Sequence, residues 1–395
     1  MVKIYDRRLT SVLLKEIDLP RIVVLTGMRQ VGKTTLMRQI YNTLDIKHKL
    51  FLDLENPINQ KLFEEENFDN ILVNFKKLGF SLGKRSFIFL DEVQAAPQVV
   101  KAIKYLYDHY RIKFFLTGSS SFYLKNLFPE SLAGRKVVYE LFPLDFEEFL
   151  IFKGKQKETP LKFILKAKDK SKVSYQLYNR LLEEFLEYGG FPAVVLAPDR
   201  EYKKQILGDI FTSYFEKDVR ALADFKELNK LRDLILSLTT RVGSKIEISK
   251  IASEIGTSRE TVYSYLNFLE KTYFIFLISP FSQGRDTEVR AARKLYFCDV
   301  GLLNYLGKVS SGSIFENFVF NNLKKYGTVN YYQRYKGLEL DFIVDGKFAF
   351  ESKIGASEFD IKRLKRIANS LRLKEYYIIT QNYYDFSRVI LAQDL

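Results

Sequence analysis

The chain has 395 residues, of which 47% are hydrophobic, and this length favours two or three domains over a single core. Its 62 Lys and Arg residues exceed its 48 Asp and Glu residues, and the net charge of +14 favours an anionic partner, nucleic acid in particular. A single cysteine, Cys298, which we expect in the core, excludes a disulfide framework, and only two histidines disfavour His-based catalysis and His-rich metal sites.

The first predicted element is a buried strand at residues 21–26, which leads into GMRQVGKTT and then into a helical pattern. Residues 27–34 fit the phosphate-binding pattern G-x-x-x-x-G-K-[ST]. In such a loop, backbone amides surround the phosphates, Lys33 reaches the β- and γ-phosphates, and Thr34 supplies a Mg²⁺ ligand. We predict that ATP with Mg²⁺ binds at Gly27, Arg29, Gln30, Val31, Gly32, Lys33, Thr34 and Thr35.

A second short apolar strand, residues 86–92, ends in two acidic residues. This pattern is typical of the strand that completes a P-loop nucleotide site. We predict that Asp91 holds the Mg²⁺ shell and that Glu92 orients and deprotonates the attacking water. A solvated strand end is the alternative.

A predicted helix at residues 99–110 precedes a third strand at residues 113–116, which ends in TGSSS. A polar sensor of the γ-phosphate is expected here, with Ser119 as the first choice and Thr117 as the second, unless the segment only caps a helix. Arg135 follows. It is either an arginine finger that reaches the nucleotide of a neighbouring subunit or a surface arginine near a turn.

The middle of the chain, residues 144–188, has a helical pattern interrupted by a lysine-rich stretch at residues 153–172, for which we expect a solvated loop. The segment EYGGFPAVV at residues 187–195 marks a break inside a helical lid that resumes toward Leu238.

A winged helix-turn-helix is predicted at residues 244–278. Ile248, Ile251 and Ile255 form one apolar helix face, residues 257–260 read as a capping box that opens a second helix, and residues 272–278 read as a wing strand. Such modules bind DNA or serve as connectors and protein contacts. The candidate DNA-contacting residues are Ser258, Arg259, Thr261 and Ser264.

The C-terminal part combines an amphipathic helix at residues 313–325, which carries Glu316, with two strands at residues 338–344 and 348–354 that fit a hairpin. Asp341 lies on the first strand, and Glu351 and Lys353 share one face of the second. Two carboxylates beside a lysine could bind a second Mg²⁺ or Mn²⁺ and activate a water against a phosphodiester. A hairpin with salt-bridged surface residues is the alternative. A basic helix at residues 360–373 and a strand at residues 376–380 follow.

Together, GMRQVGKTT, FLDEVQ, LTGSSS, LAGR, YGGFP, ELDFIV and FESK resemble the archaeal and bacterial AAA-like ATPases that end in the domain of unknown function DUF4143. The resemblance spans nearly the whole chain. It implies an α/β P-loop AAA+ core at residues 1–143, a helical lid with the lysine-rich insertion at 144–240, a winged helix at 241–285, and a restriction-endonuclease-like domain of the PD-(D/E)xK type at 286–395.

These observations predict an ATPase that binds branched or single-stranded DNA, assembles as a homo-oligomer such as a ring, and carries a candidate nuclease site. The alternative is an ATP-dependent signalling or stress-response switch that acts on a protein partner through a binding-only C-terminal domain. No apolar run in the sequence is long enough to span a bilayer, so we expect a cytoplasmic protein without membrane contact.

Overall fold

The computed structural model of the protein describes residues 5–118, 134–155, 162–168, 170–220, 227–282, 292–334 and 338–395. They form two compact units: one runs to Phe142 and includes Lys271–Tyr273, and the other consists of Pro143–Glu270 and Phe274–Leu395. None of the helices in these ranges combines the length and the apolar character needed to cross a membrane.

The first unit contains a five-stranded parallel sheet with the strand order β2-β3-β4-β1-β5. Its elements are α1 (Arg8–Glu16), β1 (Ile22–Thr26), α2 (Lys33–Thr43), β2 (Lys49–Asp53), α3 (Pro57–Lys61), α4 (Asp69–Lys77), β3 (Phe87–Asp91), α5 (Val99–Tyr110), β4 (Lys113–Gly118) and β5 (Lys136–Glu140). The three strands and the helix predicted between residues 21 and 116 are thereby confirmed.

Strands β1, β3 and β4 are buried along their whole length, as expected for inner strands of a parallel sheet. Ile22, Val24, Ile88 and Leu90 contribute to one apolar cluster with the buried face of α5. Because parallel strands all end at the same edge of a sheet, the residues that follow β1, β3 and β4 lie close together. This edge carries the predicted nucleotide site.

The rest of the chain begins with helices and ends with a second sheet. Its elements are α6 (Phe146–Phe152), α7 (Phe163–Lys168), α8 (Lys172–Tyr188), α9 (Pro192–Leu196), α10 (Arg200–Ser213), α11 (Leu228–Thr239), α12 (Ile248–Glu254), α13 (Arg259–Lys271), β6 (Ile275–Ile278), β7 (Lys294–Phe297), α14 (Val300–Leu306), α15 (Ser311–Leu323), β8 (Val329–Gln333), β9 (Glu339–Val344), β10 (Phe348–Lys353), α16 (Glu358–Ser370), β11 (Glu375–Thr380) and β12 (Val389–Leu391).

The second sheet has the order β12-β11-β10-β9-β8. Strand β9 pairs antiparallel with both β8 and β10, whereas β10, β11 and β12 run parallel. Strands β9 and β10 form the predicted hairpin. Lys347 closes its turn by donating its N–H to the carbonyl of Val344 at 3.0 Å, and the two central residues, Asp345 and Gly346, both have positive φ. Helix α16 packs on this sheet through Leu364, Ile367 and Ala368.

The helix break predicted at residues 187–195 is confirmed, since α8 ends at Tyr188 and α9 begins at Pro192. The turn between them is held by Asp299, which accepts hydrogen bonds from the backbone N–H groups of Gly190 (2.7 Å) and Leu302 (2.9 Å). At Gly189, whose φ is +75°, a Cβ atom would lie 2.0 Å from the Asp299 carboxylate. Burial raises the pKa of Asp299 to about 6, although these backbone donors favour its ionised form.

The expectation of a solvated loop at residues 153–172 is wrong for part of that stretch. It contains α7, in which Phe163 packs edge-on against Phe348 and Phe350 of the second sheet. Lys166 is only 3% exposed and donates to the backbone carbonyl of Asp394. A lysine can be buried in this way because its aliphatic stem packs while its ammonium group finds an acceptor. Residues 156–161 and 169 lie outside the described ranges.

Candidate functional site

The loop between β1 and α2 has backbone angles that require glycine. Gly27 has a φ of +151°, and a Cβ atom there would lie 2.0 Å from the carbonyl oxygen of Leu141. Gly32, with a φ of +96°, caps the N-terminus of α2, and its carbonyl accepts the N–H of Leu36 at 2.9 Å. The N–H groups of the first helical turn, which have no acceptor within the helix, therefore lie next to the loop, and this is the geometry that binds phosphate.

Lys33 is 4% exposed, and its Nζ donates to the carbonyls of Gly27 (2.9 Å) and Met28 (3.0 Å). The ammonium group thus lies against the inner side of the loop. Around it, Val31 is buried, Thr35 is exposed, and the Arg29 guanidinium lies 3.5 Å from the Glu55 carboxylate.

Asp91, the last residue of β3, is buried beside two threonines. Its carboxylate accepts hydrogen bonds from the hydroxyl groups of Thr117 and Thr34. Burial raises the pKa of Asp91, and the two threonine hydrogen bonds oppose that rise, whereas the nearby charges of Glu92 and Asp53 add to it. The predicted Mg²⁺ ligands Thr34 and Asp91 are therefore in direct contact.

Glu92 follows immediately in a left-handed backbone conformation, with a φ of +53°. Its backbone N–H donates to the Thr117 hydroxyl at 3.0 Å, and its carboxylate accepts from the Gln94 amide. A non-glycine residue in this conformation is uncommon, and such backbone strain is concentrated at functional sites. The Gln94 contact holds the Glu92 carboxylate, whereas the two threonines hold that of Asp91.

Thr117 is the polar residue of β4 that the structure places in the site. It is 0% exposed and joins Asp91 to the backbone of Glu92. Ser119, our first choice for the sensor, lies outside the described residues, so its role stays a prediction.

Arg135 precedes β5, and its carbonyl accepts the N–H of Ile22 at the start of β1. It therefore lies one strand length away from the loop at the other end of β1, about 16 Å at about 3.3 Å per residue. Its Nε atom is 2.8 Å from the Asp108 carboxylate. This position rules out contact with the nucleotide of its own chain, and a role toward a neighbouring subunit stays a prediction.

Two residues of this site were missed in the sequence. Arg7, which is 8% exposed, donates to the carbonyls of Val31 (2.9 Å) and Phe142 (2.8 Å), so it braces the phosphate-binding loop from behind. Asp53 ends β2 in register with Asp91. The run KLFLD could have revealed Asp53, because it repeats the pattern of an apolar strand that ends in an acid. No local signal marks Arg7.

These residues fit ATP with Mg²⁺. The loop offers backbone N–H groups and a buried ammonium for phosphate, and Thr34 and Asp91 offer the oxygen ligands that Mg²⁺ prefers. Glu92 follows Asp91 and is half-buried. Its carboxylate accepts a hydrogen bond from the Gln94 amide, and no ion pair with a cationic side chain is seen among the described residues.

A second candidate surface is the exposed face of α13. The helix begins at Arg259, and the Ser258 hydroxyl caps it by accepting the N–H of Thr261 at 3.1 Å, so the predicted capping box at residues 257–260 is wrong by one residue. The Thr261 hydroxyl lies 2.9 Å from that of Ser258. Arg259 and Ser264 are exposed.

The neighbouring elements of this surface are also present. Helix α12 precedes α13 in the chain, and β6, which follows α13, pairs antiparallel with β7. Tyr263, which the sequence analysis did not single out, is 59% exposed on α13, one helical turn after Arg259. The assignment of these elements to a winged helix stays a prediction.

The third candidate site is a cluster of carboxylates and cations in the C-terminal part. Glu316 on α15 accepts a hydrogen bond from the Tyr296 hydroxyl (2.7 Å) and lies 3.9 Å from the ammonium group of Lys294. The same ammonium lies 2.5 Å from Glu339. Burial, together with the charge of Asp341, raises the pKa of Glu316 to about 7. Lys294 was not predicted.

Asp341 and Glu351 face each other across β9 and β10. Asp341 accepts hydrogen bonds from the backbone N–H and the hydroxyl of Ser352, both at 2.8 Å. Glu351 pairs with Lys353 at 3.3 Å and with Arg363 of α16 at 3.2 Å. Its other oxygen is buried without a hydrogen-bond partner, and burial raises its pKa.

The structure thus brings the predicted residues Glu316, Asp341, Glu351 and Lys353 into one cluster, and it adds Lys294, a cation that the sequence analysis did not single out. Among the described residues, no group of three or more His, Cys, Asp or Glu side chains is arranged to hold a metal ion. The unpartnered oxygen of Glu351 is the feature that favours an added cation, whereas the ion pairs of Glu316, Glu339 and Glu351 disfavour one.

A parallel sheet with a phosphate-binding loop after β1 and an acidic pair after β3 defines a P-loop ATPase. Residues 19–150 match the model of an AAA domain, which places the ATPase in the AAA class. Residues 179–313 match a domain of unknown function, DUF8612, and residues 311–392 match another, DUF4143.

Two relatives align with this chain over most of their length. An uncharacterized protein of Methanocaldococcus jannaschii, MJ1544, is 32% identical over 93% of this chain and 84% of its own length. An uncharacterized protein of Haemophilus influenzae is 27% identical over 94% of this chain and 92% of its own. The chain belongs to the family of AAA-type ATPases that end in a DUF4143 domain.

Similar solved structures include the Walker-type ATPase PABY2304 of Pyrococcus abyssi, with a TM-score of 0.48, 15% identity, and coverage of 77% of this chain and 96% of the other. The ORC1 protein of Aeropyrum pernix, solved in complex with DNA, has a TM-score of 0.34 and 12% identity, and the match covers 77% and 92% of the two chains. Likenesses this loose transfer no function.

Proposed function

We propose that this AAA-type ATPase hydrolyses ATP with Mg²⁺ and uses the cycle to control binding of branched or single-stranded DNA. The network of Thr117 with Asp91 and Glu92 carries the catalytic part of the proposal. It holds the Asp91 carboxylate beside Thr34 and the backbone of Glu92 on the adjacent turn. In the proposal Asp91 binds the metal and Glu92 activates the water.

In this reading, the loop amides and Lys33 hold the phosphates, while Thr34 and Asp91 hold Mg²⁺. The bound Mg²⁺ would neutralise charge on the β- and γ-phosphates. Glu92 orients the attacking water and accepts its proton, and Thr117 keeps the Glu92 backbone in place during that step. Arg135 lies at the far end of β1 and does not reach the nucleotide of its own chain. As an arginine finger it would act on the nucleotide of another copy of the chain, and this is why we propose a homo-oligomer.

The DNA part of the proposal is supported by charge and exposure. The net charge is +14, and the exposed face of α13 presents Arg259, Ser264 and Tyr263 next to the hydroxyl groups at its N-terminus. An arginine can neutralise a phosphate, and an exposed tyrosine can stack on an unpaired base. Lys365 and Arg366 on α16 are exposed and offer further phosphate contacts.

The test is a titration of binding by the full chain to duplex, single-stranded, forked and four-way-junction DNA at several salt concentrations. Loss of one phosphate contact in Arg259→Ala should reduce the slope of log K against log salt by about 0.9 for duplex and about 0.7 for single strands. Tyr263→Ala should weaken single-stranded binding by about 1–3 kcal/mol and leave the salt slope unchanged. Arg180→Ala, which removes an exposed arginine from helix α8, is the charge-matched control for Arg259→Ala.

A salt-independent affinity, or equal binding by Arg259→Ala and wild type on every substrate, would contradict the DNA proposal. ATP turnover that ignores every DNA but rises with a protein partner would instead favour the signalling switch. Cleavage at the C-terminal cluster stays a prediction. It is tested by incubating the same DNA substrates with Mg²⁺ or Mn²⁺ and separating the strands on denaturing gels: products that vanish in Asp341→Ala would establish it.

A further inference from the structure

Lys294 is the first residue of β7, and its side chain is 3% exposed. It points into the C-terminal cluster, where its ammonium lies 2.5 Å from Glu339 and 3.9 Å from Glu316, with Asp341 also within electrostatic reach. Such a buried charge is stable only when carboxylates compensate it.

The carboxylates around Lys294 are themselves fixed in place. Glu316 is held by the Tyr296 hydroxyl at 2.7 Å, and a Cβ atom at Gly243 would lie 2.7 Å from its oxygens, so the backbone closes over it. Tyr331 covers the lysine from another side, with its ring centroid 5.4 Å from Nζ. The lysine therefore has a built, preorganised position.

The charges of the cluster nearly balance without any added ion. Four carboxylates, those of Glu316, Glu339, Asp341 and Glu351, face three cations, those of Lys294, Lys353 and Arg363. A divalent ion bound among the carboxylates would have to compete with the Lys294 ammonium for Glu316 and Glu339, because both cations need the same oxygens.

We propose that Lys294 is the internal counter-cation of this cluster and that it lowers the affinity of the C-terminal domain for divalent metal ions. Lys294 lies on β7, outside the hairpin of β9 and β10 that carries Asp341, Glu351 and Lys353, and yet it sets the affinity of the cluster for metal. This inference depends on neither the ATPase activity nor DNA binding.

The test measures Mn²⁺ binding by the nucleotide-free full chain, through the loss of the free Mn²⁺ signal in electron paramagnetic resonance. All proteins carry Asp91→Asn, which removes the carboxylate that would bind metal at the ATP site. Lys294→Gln keeps a hydrogen-bond donor for Glu339 but removes the positive charge. We expect it to bind Mn²⁺ at least about tenfold more tightly than the Asp91→Asn protein alone.

Two further variants give the matched controls. Lys245 is the β-bridge partner of Lys294 but is exposed, so Lys245→Gln removes the same charge at a neighbouring position outside the cluster and should leave Mn²⁺ affinity unchanged. Adding Glu316→Gln to Lys294→Gln restores the charge balance of the cluster and should abolish the gain.

Thermal unfolding covers the case in which Lys294→Gln is unstable. Mn²⁺ should then raise its melting temperature more than it raises that of the Asp91→Asn protein, because the metal replaces the lost ammonium. Equal Mn²⁺ affinity with and without Lys294→Gln would overturn the proposal, and so would a Lys294→Gln protein that stays unfolded at saturating Mn²⁺.

Discussion

Replacing Thr117 with valine tests the network that connects the two acids of the ATP site. Valine has nearly the same shape as threonine but lacks the hydroxyl. The change leaves the N–H of Glu92 without its acceptor at 3.0 Å and takes one of two threonine donors from the buried Asp91 carboxylate. A hydrogen bond to a charged group is worth about 1.5–3 kcal/mol, and the loss of the Thr117 donor raises the pKa of Asp91 further.

The sign of the effect follows from the role of Asp91. Burial raises its pKa and the Thr117 hydroxyl lowers it, so removing the hydroxyl makes the ionised, metal-binding form harder to reach. The acidic limb of kcat/KM for ATP with Mg²⁺, which reports groups of the free enzyme, should therefore move to higher pH.

The assay is steady-state ATP hydrolysis from pH 5 to 9 by wild type, Thr117→Val and Thr117→Ser, where serine retains the hydroxyl. Thr117→Ser should keep the wild-type profile. A Thr117→Val profile with an unshifted acidic limb would refute the reasoning, whatever its overall rate.

Three further changes test other parts of the structure. Gly27→Ala, which places a Cβ atom 2.0 Å from the carbonyl of Leu141, should abolish ATP binding measured by calorimetry and lower stability by at least about 1 kcal/mol; unchanged affinity would show that the loop is not held as described. Arg7→Ala removes two hydrogen bonds, one of them to Val31, and should weaken ATP binding at least about tenfold, whereas equal affinity would mean that Arg7 does not brace the loop. Burial raises the pKa of Asp299 from 3.8 to about 6, so the folded protein holds this proton more tightly than the unfolded chain. The free energy of unfolding should therefore fall by about 3 kcal/mol as pH rises from below 4 to above 6. Asp299→Asn cannot ionise and should lack this component in urea unfolding at pH 4–7, and a pH dependence equal to that of wild type would exclude Asp299 as its source.

The nucleotide site was largely predictable because its information is local. Gly27, Gly32 and Lys33 belong to one continuous loop between a strand and a helix, and Asp91 and Glu92 end one apolar run. These segments lie at the same edge of the sheet because the strands before them are parallel, whereas the strand order was not predicted. Thr117 could be placed only as a second choice, since sequence cannot tell which hydroxyl of TGSSS points at Asp91.

Long-range partners account for what could not be predicted. Arg7 braces a loop 24 residues away along the chain, and Lys294 meets Glu339 from a strand of another sheet. Neither has a local pattern, because any surface arginine or lysine looks the same in the sequence. Lys166 shows the same limit: a lysine-rich stretch reads as solvated, yet this side chain is buried against the chain end.

The residue Glu92 gives the most direct test of the central claim, that the site after β1 and β3 hydrolyses ATP. ATP binding and hydrolysis are measured together for wild type and Glu92→Gln, with and without forked DNA. We predict that Glu92→Gln binds ATP like wild type but turns it over at least about 100-fold more slowly, and that DNA changes the wild-type rate. A Glu92→Gln protein that hydrolyses ATP at the wild-type rate would contradict the catalytic assignment.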